Sequence, residues 1–205
     1  VGCYSFFPSK NLGCFGDGGA VVTQDRALAD KIRLLRNHGS HPKYYHKVVG
    51  GNFRIDTIHA AVLRVKLKHL DAWSLGRQQG AAVYTNCLTK YGLHGNLVEA
   101  PKIVQSRHIF NQYVVRCEDR EGVREHLKQH KITTEVYYPQ PMHLQECFAN
   151  LGYKKGEFPE SERAALTTLA LPMYPELPNT QRERIVRTIA EYYESSAQTV
   201  RRAAA

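Results

Sequence analysis

Short β-prone runs alternate with apolar patterns of helical period along most of this chain, and that alternation restricts it to an α/β architecture more than any other feature. Val1 to Phe7 reads as a strand that stops at Pro8, and a glycine-rich turn, Gly13 to Gly19, leads into Ala20-Val21-Val22-Thr23, a run suited to a sheet buried on both faces. Asp25 is placed to cap a helix carrying Leu28, Ile32 and Leu35, which Gly39 stops. Asp56 is placed to cap a second, whose Ile58, Ala61, Val62 and Val65 on one side and Leu63, Leu67 and Leu70 on another predict burial against two surfaces, core and partner subunit.

The character changes after Trp73. A helix to about Lys90, a strand over Gln112–Cys117, a helix over Arg120–His130 and a strand over Thr133–Tyr138 make a small α/β unit that fits a β-α-β arrangement, although strand direction is not legible. Pro159 suits the first position of a further helix. Thr180 suits the cap of the last, with Ile185, Val186, Ile189 and Tyr193 as its apolar stripe. The domain boundary is expected near Ala72 to Gly76, giving units 1–75 and 76–205, with Arg201 to Ala205 frayed.

Composition serves mainly to exclude. With 205 residues and 42% hydrophobic content a core is attainable, and no run approaches the roughly 18 apolar residues of a membrane span. The start lacks an export pattern, so a soluble cytoplasmic protein is expected; since Val1 is not Met and opens in a strand, an upstream half is expected as well. Five cysteines, odd in number and never in a CxxC, argue against a disulfide framework or a thiolate zinc site. His38 with His41 and His126 with His130 have helix-compatible spacing, but no HExxH or clustered carboxylates accompany them, so no metal site is expected. The formal charge of +9 would suit a polyanion or a nucleotide-bearing substrate, yet Lys and Arg are dispersed and no strand interleaves them with aromatics, which weighs against nucleic acid.

The chemistry concentrates at Ser5-Phe6-Phe7-Pro8-Ser9-Lys10-Asn11-Leu12-Gly13, where one lysine stands between a strand end and a glycine-rich turn. A P-loop needs GxxxxGK before Ser or Thr, and a dinucleotide fingerprint needs GxGxxG opening a helix; neither context is present. An amine on a short loop, near hydroxyls able to bind phosphate, is what a pyridoxal-phosphate (PLP) site requires. The alternative is a surface lysine beside an ordinary turn.

This segment, with Gly16-Asp17-Gly18-Gly19-Ala20 after it, resembles the lysine segment of the DegT/DnrJ/StrS family of PLP-dependent sugar aminotransferases. The resemblance continues in order through Arg36-Asn37-His38-Gly39, Gly51-Asn52-Phe53-Arg54-Ile55-Asp56, Tyr137-Tyr138-Pro139-Gln140-Pro141-Met142-His143 and Leu169-Ala170-Leu171-Pro172-Met173-Tyr174-Pro175. It implies an α/β fold in which the end of a PLP-binding large domain is followed by a small α/β carboxy-terminal domain. It implies that Lys10 forms the internal aldimine, that Ser5 binds the cofactor phosphate, and that Asn52 reaches the phosphate of a neighbouring subunit's cofactor, so that a homodimer shares its active sites. Arg54, Tyr137, Tyr138 and His143 match positions near the sugar nucleotide; the plainer alternatives are an Arg54–Asp56 salt bridge, packing of Tyr138 on Pro139, and a helix-start position for His143. The activity implied is transfer of an amino group, from glutamate in most of the family, to a nucleotide-linked keto sugar. Lysine at position 10 favours transamination over the dehydration of relatives with histidine there. The resemblance covers the carboxy-terminal half of a family member, leaving a non-catalytic dimerisation or regulatory domain as the rival reading.

Overall fold

The computed structural model describes the backbone of residues 1–203 and the surroundings of side chains as far as Gln198. It forms two compact units, Val1–Ala72 and Trp73–Ala205. The sequence places the change over Ala72 to Gly76, and the helix Leu70–Lys90 includes these residues.

The first unit is an antiparallel hairpin and two helices. Strands β1 (Gly2–Ser5) and β2 (Gly19–Val22) pair from Gly2 with Val22 to Ser5 with Gly19. Helix α1 (Arg26–Leu35) starts as expected at Asp25, whose carboxylate accepts a hydrogen bond from the Leu28 N–H at 3.0 Å. Such a cap contributes about 1 kcal/mol. Helix α2 (Thr57–Leu67) follows Asp56, but that side chain makes no capping bond.

Two burial expectations are not met within this chain alone. Val21 and Val22 of β2 are about half exposed, at 48% and 49%, the hairpin having two strands and no third among the described residues. Neither α1 nor α2 fully buries a residue: Val62 and Leu63 of α2 are half-buried, while Ile58 is 74% exposed.

The second unit holds the core. Helix α3 (Leu70–Lys90), strands β3 (Val98–Glu99) and β4 (Tyr113–Cys117), helices α4 (Arg120–Gln129) and α5 (Pro159–Thr167), strand β5 (Thr168–Leu171) and helix α6 (Asn179–Ala203) follow in order. The sheet is β3-β4-β5, antiparallel throughout. Alternation along β4 buries Tyr113, Val115 and Cys117 against Leu88 of α3, Leu127 of α4 and Val186 and Ile189 of α6. Tyr84 stacks on Tyr113 with centroids 4.9 Å apart and donates its hydroxyl to the Pro172 carbonyl at 2.8 Å, so its one polar atom is satisfied inside the core.

Three further expectations change. The proposed strand over 133–138 contributes only a bridge between Glu135 and Ala170, since the following Tyr137-Tyr138-Pro139-Gln140-Pro141 offers prolines that cannot donate to a ladder. The β-α-β unit is replaced by an antiparallel sheet: after α4 the chain passes that bridge, two 3₁₀ turns and α5 before entering β5 against β4. Thr180 lies inside the first turn of α6, whose start is secured instead by Asn179 Oδ1 accepting from buried Arg182 at 2.7 Å. Pro159 does occupy the first turn of α5. Of the tail expected to fray, Ala204 and Ala205 lie outside the described residues.

Candidate active site

The loop joining β1 to β2 carries Lys10, and backbone bonds fix it from both ends. Phe6 N–H donates to Gly18 O and Cys14 N–H to Phe6 O, each at 2.7 Å, and Lys10 N–H donates to Phe7 O at 2.9 Å. Gly13 packs so closely that a Cβ there would sit 2.5 Å from Pro8 O and 2.8 Å from Phe7 O; only glycine lets the strands of this loop approach. Lys66 of α2 donates to Gly13 O at 2.6 Å, tying the helix to the turn. The exposed Lys10 amine has no hydrogen bond or ion pair among the described residues. Ser5, at the end of β1, accepts only a 3.4 Å bond from Phe7 N–H.

Asn11 adds an observation the sequence reading did not single out. Both its side-chain oxygen and its nitrogen are buried without a hydrogen-bond partner, beside the lysine. An unsatisfied buried amide costs about 1–3 kcal/mol, so a polar group arriving beside Asn11 would be stabilised there. An unengaged amine, a nearly free hydroxyl and an orphaned amide on one rigid loop are consistent with a phosphate-bearing, amine-reactive cofactor.

Asn52 is held by a second backbone arrangement. It bridges Asn37, while Gly51 N–H donates to Leu35 O at 2.9 Å and Phe53 N–H to Arg36 O at 3.0 Å, which clips the Arg36–Arg54 loop to the end of α1. Arg54 Nε donates to Asn52 Oδ1 at 2.9 Å, so Asn52 is the partner the structure gives Arg54. With its oxygen engaged, the exposed Asn52 amide presents its NH₂ as a donor, the polarity an anion needs.

Tyr137, Tyr138 and His143 belong to the second unit. The two tyrosines stand edge to face at 5.6 Å and form one wall of an open cleft of 390 Å³, opposite Ser161, Ala164 and Ala165 of α5. His143 is not in that wall. Its ring packs on Phe158 at 4.7 Å and its Nε2 lies 3.0 Å from Glu162 Oε1, with 8% of the side chain exposed. Glu162 also accepts from Gly156 N–H at 2.7 Å; that bond, with His143, holds its carboxyl below the usual carboxylate range. Glu162 and Lys66 were not visible as site supports in the sequence, because their partners lie on other elements.

The DegT/DnrJ/EryC1/StrS aminotransferase family model matches residues 1–190. The chain belongs to this family. It is 51% identical over 191 residues to a pleiotropic regulatory protein of Geobacillus stearothermophilus, with 93% of this chain and 51% of that protein aligned. It is 43% identical to the dTDP-3-amino-3,4,6-trideoxy-α-D-glucose transaminase of Streptomyces venezuelae, covering 95% of this chain and 50% of the relative. Among solved structures, S. venezuelae DesV in complex with a ketimine intermediate superposes with a TM-score of 0.85 at 40% identity, over 93% of this chain and 50% of that one. The chain therefore spans about half the length of the curated relatives it matches.

Proposed function

We propose that this chain is the carboxy-terminal part of a PLP-dependent aminotransferase that moves an amino group, from glutamate as is usual in the family, to a nucleotide-linked keto sugar. The single observation that carries the reading is the family match over residues 1–190 falling on a loop that presents an unengaged lysine beside an orphaned amide. Bound PLP would supply the electron sink for charge developing at the carbon that gains or loses the amine. Lys10 Nζ is the amine that would hold the cofactor and, when free, the base that would move the proton at the carbon undergoing exchange. Its loop is braced by Gly13 and Lys66, so the amine returns to one position in both half-reactions. Ser5 Oγ is the hydroxyl for the cofactor phosphate. Asn52 gives its NH₂ to the phosphate in the other subunit of a homodimer, with Arg54 fixing its orientation. Tyr137 and Tyr138 line the sugar-nucleotide side, and His143 takes part through the orientation that Glu162 imposes.

The test is borohydride reduction after incubation with PLP, with peptide mass mapping, on this chain and on a longer protein carrying an upstream half. A pyridoxyl group confined to Lys10 in the longer protein is expected; its absence there would overturn the assignment. The likeness to a pleiotropic regulatory protein of Geobacillus favours a second reading, a non-catalytic regulatory domain that keeps the fold. A Lys10→Ala variant that retained the full biological role would establish that reading instead.

A further inference from the structure

The histidine pair His126 and His130 gains in three dimensions what the sequence lacked, a carboxylate. His126 lies in the last turn of α4 and His130, four residues on, caps its end, and the two imidazoles lie side by side with ring centroids 4.4 Å apart. Helix α6 packs on α4 and brings Glu191 to them, so that one ligand atom from each of the three side chains lies within 4.8 Å of the other two. Two details mark the rings as prepared. His130 Nδ1 lies 2.9 Å from the His126 carbonyl oxygen; donating its N–H there fixes the tautomer and leaves Nε2 with a lone pair, the backbone support typical of metal-binding histidines. His126 Nε2 is buried with no hydrogen-bond partner. Nothing in the proposed aminotransferase chemistry uses these residues.

We propose that His126, His130 and Glu191 form a binding site for a divalent transition-metal ion, Zn²⁺ being the best match, that clips α4 to α6. Two imidazoles and a carboxylate suit a borderline ion, with water completing a four-coordinate shell. A tetrahedral ion with bonds of about 2.0–2.2 Å draws its ligands to within about 3.5 Å of one another, so closure takes modest rotations of the exposed His130 and Glu191 side chains. The competing interaction is weak: Glu191 faces Arg187 at 3.5 Å, an exposed pair between residues four apart on one helix.

The experiment uses the full chain without a histidine tag, stripped with chelator, and titrates Zn²⁺ by calorimetry with a parallel thermal melt. One-to-one saturable binding and a rise in Tm are expected. His130→Gln and Glu191→Gln, both at exposed positions, should each weaken that binding by at least about tenfold, since even outer-shell partners of a metal ligand are worth that much. Co²⁺ should give a tetrahedral absorption band in the parent that is lost in His130→Gln. The proposal is overturned if the parent shows no saturable binding, or if either variant, with unchanged circular dichroism, binds Zn²⁺ as the parent does.

Discussion

The two compact units carry similar apolar patterning and put it to opposite uses. In Trp73–Ala205 the stripes of α3, α4 and α6 close on the β4 face, and Tyr84, Leu88, Tyr113, Leu127, Leu169 and Ile189 lose essentially all contact with water. In Val1–Ala72 the stripes of α1 and α2 are at most half-buried, and Phe15 at 78%, Phe53 at 75% and Ile58 at 74% exposure remain open. An amphipathic pattern records that a face must be covered; it does not record by which chain. The open unit is also the one that carries Lys10, Ser5 and Asn52. In the proposed reading these exposed apolar residues meet the remainder of a longer protein and a second subunit.

The largest effect that would test this contrast comes from the closed unit. Leu169 is fully buried in β5, so Leu169→Ala should lower stability by about 2–5 kcal/mol, read from urea denaturation followed by circular dichroism. A loss near zero would mean that the second unit is as open as the first. Tyr84→Phe should cost about 1–3 kcal/mol, because it removes a hydroxyl and leaves the buried Pro172 carbonyl without its donor. Burial also pushes the Tyr84 phenol well above its ordinary pKa, so this penalty should not vary between about pH 6 and about pH 8.5, the range below a free phenol's titration.

The same contrast explains what was legible in the sequence. The Asp25 cap, the first-turn Pro159 and the Ile185–Val186–Ile189 stripe act within one element, and the structure keeps them. Strand direction around β4 and β5, the reduction of 133–138 to a bridge, and the exposure of Val21 and Val22 depend on which distant segment arrives alongside, and no local pattern encodes that. The site divides in the same way. Lys10 and its glycines announce themselves in a contiguous run, whereas the Lys66 brace on Gly13, the Glu162 hold on His143 and the approach of Glu191 to His126 and His130 join residues far apart in the chain.

A smaller effect is expected at the edge of the core. Glu162 has its carboxyl held below the ordinary value of 4.5, so the stability it contributes is present above that value and is lost as pH falls through the lower folded one. Melting temperatures of the parent and Glu162→Gln should therefore differ at pH 7 and converge in strong acid. A constant difference across that range would mean that the carboxylate charge is not what holds Gly156 and His143.

The smallest expected change is the one that bears hardest on the comparison. Ile58→Ser replaces a β-branched apolar side chain in the first turn of α2 with a polar one, at a position that is 74% exposed. Surface substitutions of this kind usually fall within about 0.5 kcal/mol, so the chain itself should denature almost as the parent does. In a longer homodimeric protein the same change would place a hydroxyl in a covered apolar face, and the dimer dissociation constant, measured by sedimentation, should rise. If instead Ile58→Ser destabilised this chain by an amount comparable to Leu169→Ala, α2 would already be packed within it, and the contrast between the two units would not hold.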